Sequence, residues 1–474
     1  MGEHPYLLNG VWLNEGTKVE VRSPYDQSVI GVTWNATPEH LDAAIAASVA
    51  AFEVSRRMSA YERQSVLRKV VRGIEEQREV IAKLIAMEAG KPITAARMEV
   101  DRAVMTFQTA AEECVRIEGA MLPQDITSTT KGQWGVVRKF PVGPIAAITP
   151  FNFPFNLVAH KVAPVMAVGC TVVLKPAPQT PLSALMLAKI IHEAGWPAGA
   201  LNVLPLANED AAQLIEDDRL KMLSFTGSAA VGWQLKSQCR KKKVVLELGG
   251  NAACIVNHDA DVRDAAAKCV AGGFGYAGQS CISVQRIFVH REKYDEFLQA
   301  LLTQVQKLKC GDPMEETTDV GPLIRESDAV RVVNWIKEAV NGGAKLHCGG
   351  MRNGSVVEPA VLTNTKPKQK VNCEEVFGPV VTVEPFTDFV EVVDRVNDSQ
   401  YGLQTGVFTN DLKALWYAFE KLDVGGVIHN MTPTFRLDAM PYGGVKDSGL
   451  GREGVRYAME EMMEMKLLVL NPKS

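Results

Sequence analysis

The chain has 474 residues, 46% of them apolar and 22% charged, and carries a formal net charge of −4. Such proportions exclude a fibrous, disordered or membrane-embedded chain, and the length exceeds what one hydrophobic core supports, so two or more domains are expected. Acids and bases are interspersed; the one short basic cluster, Arg240 to Lys243, leads straight into an apolar run, which points to a solvated turn and to no nucleic-acid partner.

Met1 to Gly10 lacks the basic stretch and apolar core of a signal peptide. Thr37, Pro38 and Glu39 have the pattern of an N-cap followed by proline in the first turn, and Ser59 with Glu62 forms a capping box before a longer helix that Gly90 and Pro92 stop. A third amphipathic stretch runs from Ile93 to about Ile117, so the first quarter reads as largely helical. Phe140 to Ala159 is uncharged, yet Pro141, Pro144, Pro150 and Pro154 interrupt it; this is buried strand and loop, not a membrane span.

From Gly143 onward, short β-rich runs alternate with helical ones: Ile145 to Thr149, Thr171 to Lys175, Leu201 to Leu204, Met222 to Phe225 and Val244 to Leu248. The rhythm begins again at Ile255, with a helix from Asp261 and a strand from Arg286 to His290. Alternation of this kind predicts an α/β fold with two parallel sheets covered by helices. The nine cysteines form no CxxC pair and no metal-ligand grouping. Reduced thiols in the cytoplasm, with no bound metal, are the expectation.

Five segments could carry chemistry. Gly278, Gln279, Ser280 and Cys281 follow the helix from Asp261, and the small residues leave the thiol open to a carbonyl carbon. Taken alone, a lone cysteine is more often a small buried hydrophobe. Glu247 ends an apolar strand before Leu248, Gly249 and Gly250, where a carboxylate is costly to bury and its pKa can rise into the range of a general base; a salt-bridged strand end reads the same way. Pro150, Phe151, Asn152, Phe153 and Pro154 form a rigid turn that could present the Asn152 amide to an oxyanion, or only bond its own backbone. Phe225 to Ser228 lies between a strand and a helix, so amides beyond Gly227 could face a pyrophosphate, although the GxGxxG spacing is absent. Lys175 ends its strand where cofactor ribose hydroxyls or a 2′-phosphate would suit an ammonium, as would solvent.

In this order, the Asn152 turn, LKPA at Lys175, FTGS at Gly227, ELGG at Glu247 and GQSC at Cys281 resemble the aldehyde dehydrogenase superfamily almost end to end. EEVFGP from Glu374 to Pro379 and MPYGGVKDSGLGREG from Met440 to Gly454 agree with it. The resemblance implies two Rossmann-like domains and a small β element for bridging and oligomerisation. By position, the cofactor-binding domain would span residues 1–122 and 140–248, the catalytic domain 249–440, and the bridging element 123–139 and 441–474, in a homodimer or homotetramer.

The resemblance also implies roles. Cys281, Glu247, Asn152 and Lys175 would form the catalytic set, with Cys281 as nucleophile, Glu247 activating the deacylating water, and Asn152 completing an oxyanion hole with the Cys281 backbone N–H. Thr149, Pro150, Phe151, Asn152, Lys175, Gly227, Ser228, Leu248, Gly249, Glu375 and Phe377 would contact NAD or NADP. Arg102 and His160 match substrate-entrance positions and Arg436 lies in the TFRLDAMPYGG segment that approaches the site; the three suit an anionic small aldehyde, or form surface ion pairs and a core histidine. Pro178 stands where many NAD-preferring relatives carry glutamate, which opens the way to NADP. Ser280 stands where some enzymes of phosphorylated aldehydes carry arginine, and Ala439 where lactaldehyde-type members often have histidine. The alternative chemistry, coenzyme-A acylation, belongs to relatives that usually lack the glutamate present here as Glu247.

Overall fold

The computed structural model describes residues 2–472; Met1 and the last two residues of the 441–474 segment lie outside it. An eight-stranded sheet organises the first unit, running Gly449–Leu450, Lys243–Glu247, Met222–Thr226, Pro144–Ile148, Thr171–Lys175, Leu201–Val203, Tyr6–Leu8 and Val11–Leu13. Its five inner strands are parallel, and in space the third, second and first along the chain lie on one side of the fourth and fifth. The order reverses between Pro144–Ile148 and Met222–Thr226, and the crevice at such a switch point is where open α/β sheets bind ligands.

A seven-stranded sheet organises the second unit: Lys345–Cys348, Ala360–Thr363, Val380–Phe386, Arg286–His290, Ala253–Val256, Gln404–Phe408 and Gly426–His429. Only the Lys345–Cys348 edge is antiparallel. Leu248–Asn251 carry the chain from the end of the first sheet into the second. Ser448 pins this crossing, since its hydroxyl donates to the Gly249 carbonyl at 2.7 Å and accepts from the Gly402 amide at 2.9 Å.

Local signals account for several helix starts. Thr37 caps Pro38–Ser55 and Ser59 caps Ala60–Glu76 through reciprocal bonds with Glu62, while Asp261 accepts from Arg263 and Asp264 to start Val262–Phe274. The helix expected to run unbroken to Gly90 instead stops at Gln77 (φ −108°, ψ 13°) and resumes as Arg78–Ala89. Before residue 37 the chain is extended, not helical: Thr17–Arg22 and Val29–Asn35 pair as a ribbon, and Tyr6–Leu8 joins the large sheet.

Met463–Leu470, Trp134–Pro141 and Ala120–Pro123 form a separate three-stranded antiparallel sheet. The 441–474 segment therefore divides. Gly449–Leu450 extends the first sheet beside Leu246 and Glu247, and the helix Val455–Glu461 buries Val455, Ala458 and Met459 in that unit's core; only the strand after it joins the three-stranded sheet. No helix among the described residues is long and apolar enough to cross a membrane.

Candidate active site

Strand ends of the first sheet and loops of the second converge on one cleft of about 400 Å³. Pro150, Phe151 and Asn152 reach it from the end of Pro144–Ile148, Thr226, Gly227 and Ser228 from the end of Met222–Thr226, and Glu247, Leu248 and Gly249 from the end of Lys243–Glu247. Cys281, Glu375, Phe377, Arg102 and Arg436 complete much of its wall. Most of the residues singled out by sequence are thus brought together. Thr149, Lys175 and His160 lie outside the lining.

Cys281 follows a strained segment. Tyr276, Ala277 and Gly278 are all left-handed, with φ of 51°, 52° and 71°, a conformation side-chain-bearing residues avoid. The Tyr276 hydroxyl anchors the segment by donating to the Ala89 carbonyl at 2.9 Å, and residue 278 must be glycine, since a Cβ there would lie 2.2 Å from the Gly378 carbonyl oxygen. The Cys281 sulfur lies 3.0 Å from the Tyr442 hydroxyl. Burial pushes the thiol up to about 11, against the pull of Tyr442 and the Arg436 charge.

Asn152 is 4% exposed, and its Nδ2 donates to the Gln279 carbonyl at 3.0 Å. An amide nitrogen carries two hydrogens, so one remains for an oxyanion. Glu247 is 3% exposed and neither of its carboxylate oxygens has a hydrogen-bond partner. Burial, then repulsion from Glu453, pushes this carboxyl well above the ordinary carboxylate range; Arg436 and Lys161 oppose the rise. An unpartnered, proton-hungry carboxylate on a cleft wall can take a proton from water.

A charged network runs from the wall, where Arg102, Arg436 and Glu453 line the cleft, into the interior at Lys161, His160 and Asp438, and sequence reading only half revealed it. Glu453 accepts from Lys161 at 3.2 Å and from Arg436 at 3.1 Å, and although burial raises it, these cations draw it down to about 2. His160 is buried between Asp438 (2.7 Å) and Arg436 (3.1 Å), and burial followed by the Arg436 charge lowers its pKa. His160 therefore braces the wall as a core histidine. Arg102 donates to Asp438 at 2.8 Å, while its Nε is buried without a partner. Tyr442 and Glu453 fall inside the MPYGGVKDSGLGREG segment, so the signal that marks them was present, although their contacts with Cys281 and Lys161 arise only from tertiary packing.

The cleft suits a dinucleotide. The helix Ala229–Gln238 starts at Ser228 with no side-chain cap, leaving its first amides free where Gly227 and Ser228 line the cleft. Thr226 Oγ1 is buried and unpartnered. Glu375 accepts from the Gly250 amide at 2.9 Å and crowds Gly249 so closely that a Cβ there would lie 2.3 Å from its Oε2; burial pushes this carboxyl up to about 7. The rings of Phe151 and Phe377 meet edge to face at 5.8 Å. Lys175 stands one strand farther along, its Nζ donating to Asn208 at 2.9 Å, and burial lowers it to about 8. Lys175 thus stands outside the cleft around the thiol, and no hydrogen bond or ion pair joins it to Cys281, Asn152 or Glu247. No cluster of metal-binding side chains occurs among the described residues.

The profile of the Aldehyde dehydrogenase family matches residues 12–468. The chain is 44% identical over 470 residues to a 3-sulfolactaldehyde dehydrogenase of Priestia aryabhattai, covering 99% of this chain and 98% of the relative. Crystal structures of aldehyde dehydrogenase 21 from Physcomitrella patens with the reaction product succinate (47% identity, TM-score 0.97, 99% and 98% covered) and of glyceraldehyde-3-phosphate dehydrogenase from Methanocaldococcus jannaschii with NADP (37%, 0.93, 97% and 100%) share its fold. The chain belongs to the aldehyde dehydrogenase family, as an NAD(P)-dependent enzyme of the aldehyde-oxidising class.

Proposed function

We propose that this enzyme oxidises a small aldehyde bearing an anionic group to the carboxylic acid, with Cys281 as nucleophile, Asn152 as oxyanion donor and Glu247 as base. The reading rests above all on Glu247, a buried carboxylate with two unpartnered oxygens on the wall it shares with Cys281 and Asn152. The Cys281 thiolate adds to the aldehyde carbon, and the resulting oxyanion takes hydrogen bonds from Asn152 Nδ2 and the Cys281 backbone N–H. Collapse of that oxyanion to the Cys281 thioester releases the hydride of the former aldehyde carbon, which NAD(P)+ would accept when bound. Glu247 then takes a proton from water as its oxygen attacks the thioester carbon, and collapse expels the Cys281 thiolate and frees the acid. A base so placed favours water over coenzyme A as acyl acceptor.

Two features support the substrate class and cofactor breadth. Arg102 and Arg436 stand on the cleft wall, Arg102 with a buried Nε free to bond, and relatives are named for 3-sulfolactaldehyde and lactaldehyde. Exposed Pro178 leaves no carboxylate at that position near Lys175 to repel a 2′-phosphate, so NADP is accepted beside NAD. Residues 1–122 and 140–248 would then form the cofactor-binding domain and 249–440 the catalytic domain with the nucleophile, from which Gly249, Glu375 and Phe377 reach the cofactor. The edge strand Met463–Leu470 exposes Met465, Leu467, Leu468 and Val469, which suits assembly into a homodimer or homotetramer. Nine free cysteines fit a reducing cytoplasm.

Reduced-nicotinamide absorbance decides between readings. Small anionic aldehydes and their neutral counterparts are assayed with each dinucleotide, with and without coenzyme A. Anionic aldehydes at least about tenfold ahead in kcat/KM, with no acceleration by coenzyme A, support the proposal; a neutral preference or a coenzyme-A requirement overturns it. Turnover by Cys281→Ala would remove the nucleophile.

A further inference from the structure

We infer that Tyr442 is a positioning residue for the nucleophile: its hydroxyl donates a hydrogen bond to Cys281 Sγ when that sulfur is a thiolate and so favours that form, and Arg436 holds the ring that carries it. The inference rests on Cys281 being the nucleophile.

Geometry carries it. The hydroxyl lies 3.0 Å from the sulfur. Tyr442 is 3% exposed and packs with Ile282 and Leu403. Its backbone is fixed by a double bridge to Glu453, amide to carbonyl at 3.0 Å one way and 2.6 Å the other. The Arg436 guanidinium lies 3.7 Å from the ring centroid and is itself held by Glu453 and His160. A ring clamped at backbone and face keeps its hydroxyl aimed at one point, and that point is the sulfur.

Charge gives the contact its direction. A thiolate has no hydrogen, so only the phenol can donate. Burial, then the neighbouring Cys281, keeps the phenol protonated well above its usual range; Glu247 adds to this, and Arg436 alone opposes. Of the groups facing the sulfur, Glu375 and Glu247 disfavour a thiolate, whereas Tyr442 and Arg436 favour it. Removing the hydroxyl leaves the two carboxylates opposed by Arg436 alone. The same donor would also receive the sulfur when the thioester breaks, so both halves of the reaction gain from it.

The test is Tyr442→Phe, which keeps the ring and its packing. The substrate-free enzyme is alkylated with iodoacetamide across a range of pH, and modification of Cys281 is followed by peptide mass spectrometry. Expected is an inflection about one pH unit higher than in the parent enzyme, which makes alkylation at neutral pH about tenfold slower, with an unchanged melting temperature. An unmoved or lowered inflection overturns the inference. Should Tyr442→Phe fail to fold, Arg436→Lys decides: it keeps the charge but not the planar stacking, and a rise in the inflection supports the clamp while none defeats it. Cys281→Ala keeps the two questions apart, since turnover without the thiol defeats the nucleophile itself, whereas an inactive Cys281→Ala beside an unmoved Tyr442→Phe profile defeats only the role of Tyr442.

Discussion

The Asn152 side-chain amide donates to the Gln279 carbonyl across 3.0 Å, tying the turn after the strand Pro144–Ile148 to the segment that delivers Cys281. One amide hydrogen is engaged in this bond between the two units, and the other is the one that the proposed mechanism directs at the substrate oxygen. Asn152→Ala should lower kcat by about 10²–10³-fold, the usual cost of losing one oxyanion donor. Hydride formation in a single turnover measures it. If Cys281 alkylation slows by the same factor, the loss lies in thiol placement and not in oxyanion stabilisation.

Glu247→Gln separates the two half-reactions. In the proposed mechanism hydride transfer precedes water attack, so the variant should release about one equivalent of reduced nicotinamide per site in a burst and then stall. In the parent enzyme the raised carboxyl sets the sign of the pH dependence: protonated Glu247 cannot accept a proton, so deacylation should rise with pH through a value well above the ordinary carboxylate range. Rapid-mixing absorbance across pH reports both. Steady turnover by Glu247→Gln would assign the base elsewhere.

Cofactor choice should respond to Pro178→Glu. A carboxylate near Lys175 repels a 2′-phosphate and accepts from ribose hydroxyls, so kcat/KM for NADP should fall about tenfold or more while that for NAD holds or improves. Lys175 adds a pH signature. Burial lowers it to about 8, so it is charged below that pH and neutral above, and KM for NADP should climb as pH rises through about 8 with NAD little affected. Steady-state kinetics with both dinucleotides checks this; parallel behaviour of the two cofactors would remove Lys175 from 2′-phosphate binding.

The site was legible in sequence where a residue's role is set by its place at the end of a strand. Thr171–Lys175 and Arg286–His290 form as read, and the ends that present Asn152, Gly227 and Glu247 fall where the alternation of strand and helix puts them. Tertiary packing set the rest. Tyr6–Leu8 pairs with Leu201–Val203, far along the chain, and no local period announces that. The left-handed run at Tyr276 and Ala277 goes against the residues' own preferences, and its anchor, the Tyr276 bond to Ala89, lies far along the chain. His160 and Arg436 were singled out from the sequence as substrate-entrance candidates, with a core histidine and a surface ion pair as the other reading, but their orientation depends on Asp438 and Glu453.

A buried ion pair supports both loops of the site. Lys91 and Glu99, with side chains 1% and 0% exposed, are bonded to each other. The Lys91 ammonium lies 3.6 Å from the Phe153 ring centroid and 4.5 Å from that of Tyr276, which puts one cation under the Asn152 turn and the Cys281 loop together. Glu99 accepts from the amides of Phe155 (3.0 Å) and Asn156 (3.1 Å), at the start of the helix Asn156–Val168. Lys91→Met strands a carboxylate in the interior, a loss of about 3–5 kcal/mol, and kcat should fall as both loops loosen. Lys91→Met with Glu99→Gln should recover much of the stability, because a neutral amide oxygen still accepts from Phe155 and Asn156 with no charge left unpaired. Activity should stay low, since the cation between the two rings is gone. Melting temperatures and kcat of the single and double variants check this; a Lys91→Met protein as stable as the parent would show that the pair does not hold the loops.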